Sequence, residues 1–595
     1  MVVRISTSLI DRVRARLNWE IAIYILLFVI ALGMRLWDLD ARVFSFDEFE
    51  NVWWGGAWSL YNTHAYHHTP VTHGPFQGYS TALAFSLFGD SEFTARLVPA
   101  IFGTALVALP YFLRRQLGRW GAIIAAVLLT FSPTFLFFSR YARNDIYIVF
   151  WTLLLVVCLW RYLEERKARY LYIGAAALSF SFCTKEATYF TAGIFVLFLF
   201  IASAKELVAR VRNGFDLKGL SAPAEFLLLI GALALPLFAA AVQLIPKVNF
   251  PGGFHWGEAL IVILLFIISA AIGIRWNWRR WLISFLIFYG IFILLYTTFF
   301  TNLSGFASGI WGSLDYWIGQ AGRVTQPWYY YIILMPIYEF LPLLFAFVGA
   351  IYYVIKGNLF SRFLVWWALL SLIPYSLYGE KMPQICLYMI LPAILIGGMF
   401  IGQLFQAFDW KRMRAWAVRG VTIVILLLLF PVTVYIAFQV SYDNSGEPPQ
   451  MLVYAGISQD LQQIMAQIEE VAEEGGEGKE LAITVDSSGG GLSFYWPWAW
   501  YFRDYVNVDF SDLSSVNEPP KGSVLLLKAN NKDAADPYLE KYDEGQGFQH
   551  LIWFPEEYKD FDFGWWWDYF MHRKTEGPYW TSGTEGIAFF PKSTP

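Results

Sequence analysis

Long apolar runs recur along most of the chain and restrict what it can fold into. A helix needs about 20 mostly apolar residues to cross a bilayer, and several runs before residue 440 reach this length. Hydrophobic residues make up 57% of the 595 residues and charged residues only 15%, which is too few to cover a soluble protein of this size. The sequence therefore predicts a polytopic α-helical membrane protein.

The apolar runs predict about thirteen spans. Their approximate boundaries are 20–37, 92–113, 120–139, 146–162, 169–183, 187–204, 224–246, 258–274, 281–300, 331–355, 362–378, 384–407 and 420–439. The run at 76–88 is too short and too polar at its flanks to be counted. No small-residue cleavage site follows the first run, so we expect a retained first helix rather than a signal peptide.

The loops between the predicted spans differ in charge, and this difference predicts the orientation. Lys and Arg are concentrated in alternate loops, including RRQLGR (114–119), RYLEERKAR (161–169) and KRMRAWAVR (411–419). Loops rich in these residues lie on the cytoplasmic side. We therefore expect a multi-pass protein of the plasma membrane, with a cytoplasmic N-terminus and an extracytoplasmic C-terminal region.

Residues 441–595 are polar and rich in turns, unlike the apolar residues 1–440. Helical periodicity at 458–474 and two apolar runs typical of buried strands, at 480–486 and 523–529, predict a C-terminal extracytoplasmic α/β domain. The loop SSGGG (487–491) can cradle a phosphate, but glycine there is more typical of an ordinary turn.

The first external loop, 37–91, contains two adjacent acids and four of the seven histidines. Asp47 and Glu48 can accept a proton from a hydroxyl nucleophile or bind a divalent cation; a solvated interfacial loop is an equally open interpretation. The histidines are His64, His67, His68 and His73. They lack a zinc template such as HExxH, so we expect polar loop residues that contact the donor or the acceptor.

Charged residues also recur at the external ends of the predicted spans. Arginine binds phosphate oxygens in a bidentate manner, so these ends can hold the head group of an anionic lipid. Charges that only mark the interface, and an Asp145 that only caps its helix, are the alternatives. The charged residues are Arg96, Arg140, Arg143, Asp145, Lys185, Glu186, Glu380 and Lys381.

Other residue classes exclude some functions. No basic tract indicates nucleic-acid binding, and the three cysteines have neither metal-site spacing nor a disulfide framework. The aromatic segments 494–502 and 564–570 can stack on sugars or enter the membrane interface, although a domain core with a docking surface is the more typical explanation.

Six motifs occur in order along residues 46–392: FDEFE (46–50), HGPF (73–76), EFTARLVPAIFGTAL (92–106), SRYARNDIYIVFW (139–151), CTKEATY (183–189) and GEKMPQICLYMILP (379–392). Together they resemble the GT-C glycosyltransferase superfamily, near its protein mannosyltransferase and aminoarabinose transferase branch. Within it, the chain is most similar to prokaryotic flippase-associated, Agl-type membrane proteins.

The resemblance implies thirteen spans, an external C-terminal domain and a set of site residues. Asp47 would be the general base, with Glu48 supporting it or helping it bind Mg²⁺ or Mn²⁺. The donor-phosphate residues would be Arg96, Arg140, Arg143, Lys185 and Lys381. Supporting residues would be His73, Asp145, Glu186 and Glu380.

The sequence also departs from the family. The late basic motif is only GEK, and WWWDYF (565–570) lacks the glycine of the oligosaccharyltransferase WWDYG motif, so we treat it as a chance similarity.

The function expected from the sequence is transfer of a sugar from a polyprenyl-phosphate donor in the membrane to a protein, lipid or glycan acceptor outside. A lipid-linked sugar flippase or transporter is the first alternative. It should show ionisable residues at mid-membrane, whereas Glu225 and Glu339 are predicted near span ends. A non-catalytic membrane scaffold for a glycosylation pathway is the second alternative.

Overall fold

The fold is described from a computed structural model and has two compact units. The helical unit comprises residues 1–37, 55–90 and 94–438, and the α/β unit comprises 38–54, 91–93 and 439–595. The structure describes residues 18–245, 256–323, 326–377, 379, 381–406, 413–443, 450–489, 494–515, 519–552, 554, 558–559, 561–572 and 583–592.

The α-helices are numbered in chain order. Up to residue 245 they are α1 Trp19–Leu36, α2 Phe46–Trp53, α3 Ala57–Thr63, α4 Phe76–Phe88, α5 Glu92–Ala108, α6 Arg114–Leu117, α7 Arg119–Phe131, α8 Pro133–Ser139, α9 Asp145–Glu165, α10 Arg169–Phe182, α11 Ala187–Arg212 and α12 Ala222–Ala234. After it they are α13 Trp256–Tyr296, α14 Ser304–Ala307, α15 Ser313–Gly319, α16 Tyr330–Lys356, α17 Leu359–Leu377, α18 Cys386–Gln406, α19 Met413–Phe438, α20 Asp460–Glu474, α21 Trp498–Tyr501, α22 Lys532–Ala535 and α23 Phe563–His572.

The described residues contain ten helices that are long and apolar enough to cross a membrane. An eleventh span results if α7 and α8, which bend by 58° at Ser132, are counted together. The protein is thus a multi-pass membrane protein, as the sequence predicts.

The predicted count of thirteen spans is not confirmed, and the differences have physical reasons. The predicted span 169–183 is α10, which has only 14 residues. The predicted spans 258–274 and 281–300 lie on either side of Asn277, a non-helical residue at which α13 kinks. The Phe266 and Tyr289 rings pack against each other across this kink, with centroids 4.9 Å apart, so α13 consists of two segments that correspond to the two predicted spans.

Close helix packing in the helical unit depends on small residues. Helices α7 and α18 approach so closely that a Cβ on Gly402 would lie 2.4 Å from the Gly121 nitrogen. Without water to drive apolar association, membrane helices pack best where small residues allow such an approach. Helix α18 is largely buried. Its first turns contain residues of the candidate site that lie close to Gln384.

The α/β unit contains a sheet of six described strands: β1 Gly456–Ile457, β2 Ile483–Asp486, β3 Val508–Ser511, β4 Val524–Lys528, β5 Gln546–Ile552 and β6 Thr584–Phe589. Their order is β1-β5-β6-β4-β2-β3. Strand β2 is parallel to β3 and β4, and the other neighbouring pairs are antiparallel. The predicted helix at 458–474 and both predicted strands are confirmed as α20, β2 and β4.

Hydrophobic periodicity explains how the α/β unit forms its core. Leu461, Ile464 and Ile468 recur every three or four residues on α20 and are buried in one cluster with Ile483 and Trp498. The tryptophans of segment 494–502 are therefore in part core residues, as the sequence favoured.

Residues 38–54, which contain α2, pack as part of the α/β unit. Val43 lies in the same buried cluster as Ile483 and Trp498. The sequence predicts a domain boundary at residue 440. In the structure, however, the acidic motif FDEFE packs in the unit that contains residues 439–595.

Candidate active site

The two adjacent acids lie in the first turn of α2, and neighbouring side chains fix where this helix begins. The Ser45 hydroxyl accepts a hydrogen bond from the Glu48 N–H (3.3 Å), and Glu48 Oε2 accepts one from the Ser45 N–H (3.2 Å). This capping box satisfies amides that a helix start otherwise leaves without partners. Asp47 and Glu48 are both buried, with 4% and 0% of their surface exposed.

Arg42 forms a buried ion pair with Glu48, with 3.1 Å between Nη2 and Oε2. The same oxygen accepts the Ser45 N–H, so a divalent cation bound at this oxygen would have to displace Arg42. Among the residues that the structure describes, no group of three or more His, Cys, Asp or Glu side chains is placed to hold a metal ion. The geometry therefore supports a role for Glu48 in anchoring α2.

The HGPF and CTKE motifs contact each other through their backbones. The Gly74 N–H donates to the Thr184 carbonyl (3.1 Å), and the Phe76 N–H donates to the Cys183 carbonyl (2.8 Å). A Cβ on Gly74 would lie 2.3 Å from the Cys183 carbonyl oxygen, so this approach requires glycine. Two motifs far apart in the sequence thus form one structural element.

This contact brings His73 and Glu186 together, with 2.7 Å between Nδ1 and Oε2. Burial alone would raise the pKa of the Glu186 carboxyl, but the charge and hydrogen bond of His73 outweigh it and lower the pKa below its usual value. Glu186 is therefore a carboxylate at neutral pH and fixes the orientation of the His73 ring.

His68 lies next to this pair and is neutral. Its Nε2 lies 2.9 Å from the His73 carbonyl oxygen, and its Nδ1 lies 2.8 Å from the Ser308 hydroxyl. A carbonyl can only accept, so the network assigns the proton to Nε2. Burial lowers the pKa of His68 to about 4, in agreement with a neutral ring.

Asp145 is the centre of the main charged cluster in the helical unit. Its Oδ1 accepts hydrogen bonds from Lys185 Nζ (2.8 Å) and from the Tyr388 hydroxyl, and its Oδ2 lies 3.5 Å from Arg143 Nε. All four side chains are buried. The cluster joins the start of α9, the loop before α11 and the first turns of α18, and the Asp145 carboxylate contacts two cations in it.

Gln384 connects the late GEK motif to this cluster. Its side-chain oxygen, in the orientation that satisfies its hydrogen bonds, accepts from Arg143 Nε and Nη2 at 2.9 and 3.2 Å. Three residues earlier, Lys381 is buried with Nζ 3.5 Å from the Gly379 carbonyl oxygen. Burial lowers the pKa of Lys381. Glu380, also predicted as a supporting residue, lies outside the described residues.

Arg140 and Arg96 have different surroundings. Arg140 Nη1 donates to the carbonyls of Met34 (3.3 Å), Arg35 (3.2 Å) and Trp37 at the end of α1. A helix leaves its last carbonyls without partners and with a partial negative charge, so a guanidinium there stabilises the helix end. Arg96 is fully buried in the first turns of α5.

Two other predicted features lie apart from these clusters. His64 and His67 are exposed. After β2, Asp486 accepts hydrogen bonds from the Ser488 N–H (2.9 Å) and the Asn531 side chain (2.7 Å). These bonds fit the ordinary-turn explanation of SSGGG, whose residues 490 and 491 lie outside the described part of the chain.

Sequence reasoning missed several partners of the predicted residues. Arg42 lies close to the acidic pair in the sequence, so it could have been identified there as a candidate partner of these carboxylates. Tyr388 and Gln384 fall inside the quoted motif GEKMPQICLYMILP, but only the fold shows that they contact Asp145 and Arg143.

Residues 72–213 match the family model described as dolichyl-phosphate-mannose-protein mannosyltransferase. This segment contains the His73–Glu186 pair and Asp145, Arg143 and Lys185, whereas Asp47 and Lys381 lie outside it. A search of curated proteins gave no significant match to the chain.

Solved structures are similar to this chain at low sequence identity. The oligosaccharyltransferase of Archaeoglobus fulgidus, tethered to an acceptor peptide, is 14% identical, with a TM-score of 0.51 over 90% of this chain and 69% of that one. ArnT from Cupriavidus metallidurans, bound to undecaprenyl phosphate, is 12% identical, with a TM-score of 0.49 over 89% of this chain and 96% of that one.

The closer similarity to Agl-type proteins stays a prediction. The family match and the shared fold confirm the resemblance to GT-C glycosyltransferases that the six motifs predict.

Proposed function

We propose that the protein is a glycosyltransferase that moves a sugar from a polyprenyl-phosphate donor to a hydroxyl of an acceptor on the extracytoplasmic face of the plasma membrane. The observation that carries this proposal is the buried cluster in which Arg143 and Lys185 both contact the carboxylate of Asp145. It lies within the segment matched to a family whose description names a dolichyl-phosphate sugar.

The cluster suits the leaving group of such a reaction. When the bond between the sugar C1 and the phosphate oxygen breaks, the electron pair stays on the polyprenyl phosphate, which gains negative charge. Cations already held in place stabilise that charge without reorganising, and such stabilisation is commonly the largest rate term. We assign Arg143 and Lys185 to this step, with Lys381 and Arg96 as further phosphate-binding residues.

We assign Asp47 to the activation of the acceptor hydroxyl. As a general base it takes the proton of the acceptor hydroxyl while that oxygen forms its bond to the sugar C1. General-base catalysis contributes about 10²- to 10⁴-fold. Glu48 acts indirectly, because its carboxylate holds Ser45 and Arg42 at the start of α2.

Arg140 receives a different proposed role from the one implied by resemblance. Its contacts with three carbonyls at the end of α1 suit a residue that fixes this helix end. His73, Glu186 and Asp145 orient the loops that carry the cations. The acceptor is a protein, lipid or glycan, and the donor reaches the protein from the membrane.

Glu339 is the observation that most favours a transporter. It lies well inside α16, not near its end, and the helix is broken at this residue. However, Glu339 Oε1 accepts the Thr134 N–H (3.0 Å) and the hydroxyls of Ser132 and Thr134, so it caps the start of α8. This structural role leaves the enzyme as the better-supported function.

The proposal predicts that donor lipid co-purifies with the protein. Purify wild type from its source membranes in detergent, extract the bound lipid and identify it by mass spectrometry. We expect a sugar-bearing polyprenyl phosphate that Arg143→Gln loses, because this change removes a cation next to the phosphate.

Lys167→Gln is the matched control. It removes an exposed cation beyond the opposite end of α9, so its bound lipid should equal that of wild type. Bulk phospholipid alone in all three proteins would contradict the donor assignment and favour a non-catalytic scaffold.

A further inference from the structure

Helix α2, which contains Asp47, is too short to be stable by itself. It has eight residues, whereas isolated helices below about 12–15 residues are marginal in water. The capping box defines where α2 begins but not the direction in which it points. The position of the Asp47 carboxyl therefore depends on the side chains against which α2 packs.

Trp496 of the α/β unit packs against α2 on both sides of Asp47 in the sequence. Its ring centroid lies 4.4 Å from that of Phe49, edge to face, and 5.6 Å from that of Phe46. Trp54, directly after α2, lies 5.7 Å from the same ring. Aromatic pairs at these distances have preferred angles as well as burial, so Trp496 restricts both the position and the rotation of α2.

The segment leading into α2 is held by the same region of the α/β unit. The Phe44 N–H donates to the Tyr501 hydroxyl (3.2 Å), and the Phe44 ring lies 5.0 Å from that of Trp500. The Phe46 N–H donates to the Ala455 carbonyl (3.1 Å). These backbone contacts fix the chain immediately before Asp47.

We propose that Trp496, together with Trp500 and Tyr501, positions Asp47, and that the α/β unit is therefore part of the catalytic apparatus. The three residues are named the aromatic clamp. The inference rests on the proposed function, because it takes Asp47 as the general base. The clamp residues touch α2 and its leading segment, so they are positioning residues that act through Asp47.

The test measures donor binding and donor use separately in the variant Trp496→Ala. Two quantities are measured on purified protein: the total polyprenyl phosphate bound, and the rate at which bound sugar-bearing lipid loses its sugar after source-membrane extract is added as acceptor. We expect unchanged total lipid and about a hundredfold slower sugar loss, the size of effect that a misplacement of about 1 Å causes.

Matched variants distinguish positioning from folding. Trp496→Phe should recover most of the rate, and Trp567→Ala, an exposed tryptophan of α23, should behave as wild type. If Trp496→Ala does not fold, Tyr501→Phe replaces it, because it removes only the hydroxyl bound to the Phe44 N–H; we again expect slower sugar loss with unchanged lipid.

Asp47→Asn in the same assay separates the two proposals. A folded Trp496→Ala or Tyr501→Phe protein with the wild-type rate, alongside an inactive Asp47→Asn, would overturn the clamp alone. Wild-type sugar loss by Asp47→Asn would overturn the proposed function.

Discussion

Buried charges in the helical unit are held in pairs and clusters, and Asp145 is the clearest case. Its carboxylate contacts Lys185, Arg143 and Tyr388 from three separate segments. A carboxylate buried without partners would cost several kcal/mol, so the three segments have to stay together. The residue proposed to balance the donor-binding cations thus also stabilises the fold.

Lys185→Met should lower stability because it leaves Asp145 with one cation fewer. Removing one partner of a buried pair typically costs about 3–5 kcal/mol. The double variant Asp145→Asn, Lys185→Met removes both charges and should recover part of this loss. Thermal unfolding of the detergent-purified proteins measures both effects.

Lys167→Met is the control for that series, because Lys167 is exposed and the change should have little effect. A double variant no more stable than Lys185→Met would show that the uncompensated charge of Asp145 is not the cause.

At the scale of elements, the contacts of His68 with His73 and Ser308 provide a pH-dependent part of stability. His68 joins His73 to Ser308 as a neutral ring. Burial lowers its pKa to about 4, below the value of about 6.5 for an exposed histidine. Between these values the unfolded chain binds a proton that the folded protein does not.

Stability should therefore fall as the pH drops from about 6.5 to about 4, by up to about 3 kcal/mol from this group. His68→Gln should flatten this part of the curve, whereas His64→Gln, at an exposed position, should not. Thermal unfolding across this pH range checks the prediction. Equal slopes for wild type and His68→Gln would mean that His68 is already charged in the folded protein or contributes nothing.

Secondary structure was predictable from the sequence where apolar periodicity is strong. The helix α20 and the strands β2 and β4 have the predicted type and nearly the predicted bounds. The predicted span count is not confirmed because α10, with 14 residues, is shorter than a bilayer crossing. Glu339 was predicted near a span end because the helix break and the α8 cap are not visible in the sequence.

At the scale of the whole molecule, contacts over long sequence distances were the least predictable. The motif order pointed to Asp145, Arg143 and Lys185, but not to the Tyr388 and Gln384 side chains that hold them. The acidic helix α2 follows the first span directly, so the sequence groups it with the membrane region. Its packing against Trp496 depends on an aromatic segment more than 400 residues later, which no local pattern can indicate.

The proposed reaction assigns donor binding and donor use to different residues. Arg143 and Lys185 are the cations proposed for the donor phosphate, and Asp47 is the proposed base. Donor binding and donor use should therefore respond to different substitutions, Arg143→Gln affecting the first and Asp47→Asn the second.

The most direct test of this account is the fraction of co-purified polyprenyl phosphate that still carries a sugar, compared by mass spectrometry between wild type and Asp47→Asn. We predict equal total lipid in the two proteins and a higher sugar-bearing fraction in Asp47→Asn, because the donor binds but is not used. Equal fractions in two equally well folded proteins would contradict the assignment of Asp47 as the catalytic base.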